Sequence, residues 1–514
     1  MSQDNNSSNN KRIAKNTALL YFRMLFLMSI GLFTSRVNLQ ALGVDNFGIY
    51  NVVGGVVAMF SILTGALSVA ISRDITFELG KGNKERLNKV FSAAVTIQIL
   101  MSIIIVIIAE VAGVWFLNNK MVIPEDRLYA ANWVLQFSIV SFVLTLISVP
   151  YNACIIAHEK MSAFAYITIY EAIMKLVVAY AVFITPFDKL ITYAALLLFI
   201  AFTMRLIYGV YCARHFEECH YHLIFDKKML KQMGGFAGWT MIGNLAYVGY
   251  SQGLNIILNI FFGPSVNAAR GVAMQVNEKV SSFCTNFQMA LNPQITKSYA
   301  ANDLKRMHTL IFASSKYSFF LLLLLSLPII IETKSILYYW LGNYPDHTIW
   351  FVRLIFMVLL VEATANPLTI AAQANGNIKK YQIIVGTILL LIVPIAYIAL
   401  KMGYQPEAVF VVHLSIVLIA QCARLIMIKG MISLAVNEYI KKVVLRIVAV
   451  VCSSVIVPAA LHLYIPNGFL SMISVCFISC LSVLICVYLL GLSHDEKQKI
   501  HIKINNFIHR KHEI

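Results

Sequence analysis

The sequence predicts an all-helical polytopic membrane protein with about 14 spans, built as two parallel six-helix repeats and a C-terminal helix pair. Three observations predict this fold class: an apolar composition, long apolar runs along the chain, and a similarity between its two halves. Of the 514 residues, 59% are hydrophobic and only 13% are charged. Soluble domains carry about 25% charged residues, so this composition excludes a soluble or a disordered protein.

The apolar runs are long enough to cross the hydrocarbon core, which takes about 20 apolar residues per helix. We place the spans at 17–40, 47–70, 88–117, 131–157, 163–185, 190–212, 236–262, 266–290, 313–341, 349–372, 381–401, 407–428, 443–464 and 468–491. The nine cysteines lie mostly within these runs and form no CxxC pair. We therefore expect free, buried thiols.

The positions of the basic residues predict the orientation of the spans. Of 41 Lys and Arg residues, 26 lie in one alternate set of connections and 5 lie in the other. Because Lys and Arg concentrate on the cytoplasmic side, we expect both termini in the cytoplasm. The net charge of +17 is then mainly a topology signal, and we expect no nucleic-acid partner. The outer loops are short and no Walker-type phosphate loop is present, so we expect neither an enzyme nor a cofactor.

An internal repeat organises the chain. Residues 42–87 align with 262–307 at a constant offset of 220, and Pro150 and Pro367 match at an offset of 217. Each unit holds an even number of spans, so the repeat is parallel. We therefore expect a cytoplasmic tail (1–16), an N-lobe (17–212) and an amphipathic linker on the inner membrane surface (213–235). A C-lobe (236–428), a terminal helix pair (443–491) and a second cytoplasmic tail (492–514) would follow. Two such lobes usually enclose a central path, which favours a transporter over a channel.

Polar and charged residues inside the spans are the candidates for substrate binding. An ionisable group at mid-membrane costs about 2.5–3.5 kcal/mol, so it should face a wet cavity or a partner. Polar stripes on the seventh and eighth spans predict a hydrated seam, with interhelical hydrogen bonding as the alternative. Guanidinium groups bind phosphate bidentately, so an anionic, phosphorylated substrate is our hypothesis. The candidate residues are Arg23, Arg36, Asn255, Arg270, Asn277, Ser281 and Arg353.

Acidic residues in the spans are candidates for binding a coupling ion, either a proton or sodium; they are Glu171, Glu278 and Glu362. Glu171 and Lys175 have i,i+4 spacing on one helix face, so a structural ion pair is the other interpretation of Glu171.

One connection holds several residue types that ligate metals: Cys212, His215, Cys219, His220 and His222. Their spacing matches no zinc pattern, so the sequence assigns no metal site.

The segment Leu42-Gly43-Val44-Asp45-Asn46-Phe47-Gly48-Ile49-Tyr50 resembles the LG-x-x-x-FG-x-Y signature of Wzx-type polysaccharide flippases. The later Pro293-x-Ile295 and Asn302-Asp303 also resemble this family, which handles O-antigen and capsule repeat units. The family belongs to the MOP exporter superfamily, together with lipid II flippases and multidrug and toxic compound extrusion (MATE) transporters. The resemblance implies a MATE-like fold.

The resemblance also implies a function. The substrate would be an undecaprenyl-diphosphate-linked oligosaccharide, flipped across the bacterial inner membrane by alternating access for lipopolysaccharide or capsule biosynthesis. Cavity arginines of the family would correspond to Arg23, Arg36 and Arg270. Membrane lipids and polysaccharide-assembly proteins would be the other partners.

Two alternative functions remain open at this point. Multidrug cation antiporters of the same superfamily typically use an acidic residue in the first span of a lobe, whereas 17–44 contains none. A polysaccharide polymerase or ligase would need a sizeable outer loop, and the longest one here lies near 118–130.

Overall fold

The computed structural model describes residues 2–58, 61–119, 123–222, 226–464, 468–494 and 496–498. In these ranges eleven helices are long and apolar enough to cross a membrane, which confirms the predicted all-helical polytopic class. The first and eighth predicted spans and the described parts of the second are also helical but fall outside those eleven. For the eighth span the cause is its polar stripe, which lowers the mean hydropathy.

The chain forms two compact units. The first comprises Met1–Asn244, Met289–Asp303 and Gly376–Gln382. Its helices are α1 (Ser2–Ala58), α2 (Ser61–Lys81), α3 (Lys84–Ile108), α4 (Val114–Asn119), α5 (Leu128–Ala157), α6 (Met161–Ile184), α7 (Lys189–His215) and the first part of α8 (Lys227–Phe262). The predicted linker helix is not separate from the seventh span, because residues 227–235 form the first turns of α8.

The second unit comprises Leu245–Gln288, Leu304–Asn375 and Ile383–Ile514. Its remaining helices are α9 (Pro264–Ala300), α10 (Leu304–Ile331), α11 (Thr333–Leu341), α12 (Thr348–Ala363), α13 (Ala365–Asn375), α14 (Lys379–Leu390), α15 (Ile392–Lys401), α16 (Ala408–Ile432), α17 (Val436–Tyr439), α18 (Leu445–Tyr464) and α19 (Phe469–Cys486). The C-terminal end of α9 and the start of α14 belong to the first unit.

The core of the first unit combines small and aromatic side chains. Ala93, Ala94 and Ala157 are completely buried, and small residues of this kind let membrane helices approach closely. Between them, the rings of Phe91 and Tyr151 meet edge to face at 5.1 Å. This packing holds the helices around the cavity described below.

The backbone repeats itself at the offsets that the sequence predicts. Gly43 and Gly263 both have φ 77°, and Gly82 (73°) corresponds to Asn302 (56°), again 220 residues later. Glu159 (59°) corresponds to Gly376 (88°) at the second offset, 217. This left-handed conformation is strained for most residues, and glycine and asparagine adopt it most readily. Three matched pairs are what a duplicated backbone would produce.

Candidate functional site

A polar cavity of about 470 Å³ lies within the first unit, between α1, α5, α6 and α7. Three charged residues line it together with hydroxyl and amide side chains. The polar lining consists of Arg23, Tyr50, Ser141, Thr145, Ser148, Asn152, Thr168, Glu171, Lys175 and Tyr208. The cavity therefore contains both Arg23, a predicted substrate-binding residue, and Glu171, a predicted coupling-ion residue.

Arg23 is held against α6. Its Nε donates to Oγ1 of Thr168 at 2.7 Å, and the guanidinium carbon lies 4.4 Å from the ring centre of Phe164. Thr168 donates its own hydroxyl proton back to the carbonyl of Phe164 at 2.9 Å, which leaves a lone pair for Arg23. Within the described part of the chain, Nη1 and Nη2 of Arg23 make no hydrogen bond. These two nitrogens can therefore bind an oxyanion bidentately.

Glu171 and Lys175 form the predicted i,i+4 ion pair, with Nζ 2.6 Å from Oε1. Both residues line the cavity that contains Arg23. The three charges sum to a single positive charge, so the cavity favours anions. A coupling-ion role for Glu171 stays a prediction.

The residues of one cavity wall, on α5, were not among the predicted site residues, although their spacing in the sequence shows a pattern. Ser141, Thr145, Ser148 and Asn152 follow one another on α5 at intervals of four, three and four residues. This spacing places them on one helix face. The cavity-lining Tyr208 on α7 carries no comparable pattern, because a single tyrosine in an apolar span is unremarkable.

In the second unit, Arg270 joins the two predicted polar stripes. Its Nη2 donates to the carbonyl oxygen of Ser251 at 2.8 Å and lies 3.3 Å from Oγ of the same residue. The Nε of Arg270 is buried and has no hydrogen-bond partner among the described residues. An unsatisfied guanidinium N–H in this setting needs water or an anion.

Further polar groups surround this arginine, and the sequence did not single out all of them. The ring of Tyr250 lies 5.3 Å from Tyr247 and 5.1 Å from His413. Glu362 interacts electrostatically with Arg424 and neighbours the hydroxyl of Tyr250. The prediction from the sequence did not include His413 or Arg424.

The other predicted substrate residues do not line the cavity around Arg23. Asn255 is half-buried on α8, and Oδ1 of Asn277 on α9 is buried without a partner among the described residues. The carbonyl of Ser281 accepts a hydrogen bond from Thr285. Their role in binding stays a prediction.

Two arginines and one acid complete the predicted set. Arg353 donates from Nε to the carbonyl of Ile330 at 3.0 Å, in the last turn of α10. Glu278 is exposed on α9. The side chain of Arg36 lies outside the described residues.

The connection that carries possible metal ligands separates its histidines. His215 stacks on Tyr211 at 4.2 Å, His220 is exposed, and the backbone N–H of His222 donates to Ser92. Its two cysteines, Cys212 and Cys219, instead lie together in the interior of the first unit.

Comparisons with known proteins assign the chain to a family. Residues 13–299, more than half of its length, match the family described as polysaccharide biosynthesis protein. The chain belongs to this family. No curated protein matches the sequence of this polysaccharide biosynthesis protein significantly.

Solved structures show that this family member has a MATE-like fold. A MATE protein in a straight conformation superimposes with a TM-score of 0.71 at 14% identity, covering 83% of this chain and 96% of the other. An outward-facing multidrug resistance MATE family transporter of the MOP superfamily gives 0.69 at 13% identity, covering 82% and 96%. A MOP superfamily transporter from Pyrococcus furiosus, described by the reverse polarity of its binding pocket, gives 0.67 at 14% identity, covering 82% and 96%. The expected MATE-like fold is therefore confirmed.

Proposed function

We propose that the chain flips an undecaprenyl-diphosphate-linked oligosaccharide from the inner to the outer leaflet of the bacterial inner membrane. One observation carries the proposal: Arg23 lies in a cavity that also holds the Glu171–Lys175 ion pair and whose remaining polar groups are hydroxyls and an amide. Cations bind a diphosphate, and hydroxyl and amide groups bind sugars. Membership of the polysaccharide biosynthesis family supports a glycan as the cargo.

The physical problem of flipping explains why such a cavity is needed. A headgroup of sugars and diphosphate cannot cross hydrocarbon unaided, because charged and polar groups lose their hydration there. The polyprenyl tail is apolar and can stay in the lipid while the headgroup passes through the protein. Alternating access would then expose the bound headgroup to each side of the membrane in turn.

A gradient can drive this step in one direction. The membrane potential supplies about 2.3 kcal/mol per elementary charge per 100 mV. A proton or sodium ion would need an acidic residue, and Glu171, Glu278 and Glu362 are our candidates. Glu362 interacts electrostatically with Arg424 and neighbours Tyr250, whereas Glu171 is paired with Lys175 and Glu278 is exposed.

The main alternative is export of cationic drugs by the same fold. The first cavity argues against it, because a drug cation would meet Arg23 there while Glu171 is already paired with Lys175. Efflux of a cationic dye that is lost in an Arg270→Ala variant would favour this alternative.

Genetic complementation tests the proposed function in cells. In a strain that lacks the gene, the wild-type chain should restore surface polysaccharide, whereas Arg23→Ala should leave lipid-linked oligosaccharide accumulated inside. Arg205→Ala is the matched control, since this arginine of the first unit stacks on Tyr151 at 4.1 Å and does not line the cavity. Normal surface polysaccharide in the strain without the gene would overturn the proposal.

A further inference from the structure

A cluster of buried sulfur and carboxylate groups lies at the C-terminal ends of α5 and α7. The Sγ atoms of Cys154 and Cys219 and a carboxylate oxygen of Glu218 all lie within 4.8 Å of one another. Their residues are 0%, 5% and 8% exposed. Cys154 belongs to α5, and the other two form part of the 3₁₀ turn Glu217–Cys219 that follows α7.

A third thiol lies beside the cluster. Cys212, in the last turn of α7, has its side chain next to that of Cys219, which in turn neighbours Cys154. Cys212 also donates to the carbonyl of Tyr151 on α5 at 3.5 Å. Two thiols and one carboxylate thus lie within 4.8 Å of one another, and the thiol of Cys212 lies beside this group.

The surrounding groups hold the carboxylate in place, as the outer groups of a metal site do. Nε2 of His158 lies 2.5 Å from Oε1 of Glu218, and its ring stacks on Phe216 at 4.1 Å. Nδ2 of Asn88 on α3 donates to the carbonyl oxygens of Glu218 and His220, each at 2.9 Å. The turn that carries two of the four groups is therefore fixed from two sides.

We propose that Cys154, Cys212, Cys219 and Glu218 bind one Zn²⁺ ion. Zinc takes four ligands in a tetrahedron with Zn–S distances of about 2.3 Å, which places its sulfurs about 3.8 Å apart. The spread of up to 4.8 Å among Cys154, Cys219 and Glu218 would close to this value with small side-chain movements, and Cys212 would move closer to complete the set. Thiolate ligands select zinc over magnesium and calcium, which prefer oxygen.

The charge of the site and its closed ligand set are consistent with a structural role. Binding would release the thiol protons, and the resulting negative charge would be offset by Zn²⁺ and by nearby Arg205, His158 and Lys84. Four protein ligands leave no open position for catalysis, so the ion would fasten the C-terminal ends of α5 and α7 together. The sequence did not reveal the site, because Cys154 lies on a different span and the histidines of the connection lie elsewhere.

Titration with Co²⁺ tests the proposal directly. The full-length chain, purified reduced in detergent and freed of metal with a chelator, should develop tetrahedral thiolate–Co²⁺ absorption bands that saturate at one equivalent. Zn²⁺ should abolish these bands and raise the melting temperature. Changing any one of the three cysteines to serine should remove the bands. His158→Gln should weaken Co²⁺ binding about 10- to 100-fold, because His158 holds a ligand without being one.

Cys284→Ser is the matched control, since Cys284 is a buried thiol of α9 and should leave Co²⁺ binding unchanged. If a cysteine variant does not fold, Glu218→Gln and the zinc-dependent melting of the wild type decide instead. The proposal is overturned if a chain with nine reduced thiols binds no Co²⁺ or Zn²⁺, or if two of the three cysteines form a disulfide during anaerobic reducing purification. It is also overturned if Cu⁺ binds in preference to Zn²⁺ and independently of Glu218.

Discussion

Arg23 on α1 and Thr168 on α6 are joined by a hydrogen bond of 2.7 Å from Nε to Oγ1. The bond occupies one edge of the guanidinium group and leaves both terminal nitrogens for a ligand. It also fixes the arginine next to the ion pair of Glu171 and Lys175 on the same helix. This arrangement makes the cavity a site for anions with a defined orientation.

Replacing Arg23 should therefore weaken binding of a diphosphate lipid. A hydrogen bond to a charged group contributes about 1.5–3 kcal/mol, so Arg23→Ala should lower affinity about 10- to 150-fold. Arg23→Lys should recover only part of it, because lysine lacks the bidentate geometry. Titration of a fluorescent undecaprenyl-diphosphate saccharide into purified protein measures the effect. Equal affinity of the wild type and Arg23→Ala would remove this residue from the site.

Arg270 should be essential for translocation in a different way. Its Nε is buried without a partner among the described residues, so an anion or water must approach it. Arg270→Ala should abolish translocation while the protein remains folded and inserted, and Arg270→Lys should rescue it partly. Surface polysaccharide and membrane expression are measured together. Full polysaccharide production in Arg270→Ala cells would contradict this assignment.

Glu171→Gln separates the two interpretations of the Glu171–Lys175 pair. An exposed i,i+4 pair contributes about 0.3–0.5 kcal/mol, so the variant should transport almost normally if the pair is only structural. A lost dependence of transport on pH or sodium would instead assign Glu171 to the coupling ion. Initial transport rates across a pH and sodium series distinguish these outcomes.

Glu159 and Lys297 should stabilise the first unit. The carboxylate of Glu159 is fully buried, 2.8 Å from Nζ of Lys297 and 2.7 Å from Nε2 of Gln294. Removing one partner of a buried pair costs about 3–5 kcal/mol, so Lys297→Met should lower the melting temperature markedly. The double variant Glu159→Gln/Lys297→Met should lose less than the sum of the single changes. Strict additivity in this thermodynamic cycle would show that the pair does not interact.

Glu496 should make stability depend on pH. Burial alone would raise the pKa of Glu496, but hydrogen bonds from Lys316, the Ser493 N–H and Tyr317 outweigh it and lower the pKa to about 2. An unfolded glutamate has a pKa of about 4.3, so the stabilisation is complete above that value and is lost as the pH falls towards 2. The shift corresponds to at most about 3 kcal/mol.

Thermal unfolding of Glu496→Gln and the wild type across pH 2–6 measures this contribution. The variant should be less stable than the wild type at pH 6 and should show a flatter pH profile. Glu438→Gln is the control, since Glu438 forms an exposed pair with Lys442. Parallel profiles for Glu496→Gln and the wild type would show that this carboxylate does not stabilise the fold.

Much of the fold could be predicted from the sequence, because membrane helices are specified by composition and basic connections. The offsets of 220 and 217 even locate the left-handed pairs Gly43 and Gly263, and Glu159 and Gly376. Helix ends were less predictable. The second span was predicted to end at residue 70, but its helix continues to Lys81. Polar residues beyond the hydrocarbon core can continue the same backbone hydrogen bonds, so the apolar run does not mark the helix end.

The site could be predicted only where a pattern lies on one helix. The pair of Glu171 and Lys175 followed from i,i+4 spacing, and the α5 stripe from Ser141 to Asn152 could have followed from the same geometry. Contacts between helices carry no such signal. The hydrogen bond from Arg23 to Thr168 depends on how α1 packs against α6. The proximity of Cys154 to Cys219 depends on how α5 packs against the turn after α7.

Reconstitution into liposomes tests the central claim most directly. The purified chain is incorporated with a fluorescent undecaprenyl-diphosphate saccharide, and a membrane-impermeant quencher reports how quickly label leaves the inner leaflet. We expect rapid loss of protected label with the wild type and with Arg205→Ala, and little with Arg23→Ala or Arg270→Ala. Label that stays protected in wild-type liposomes, while a cationic dye crosses them, would contradict the account.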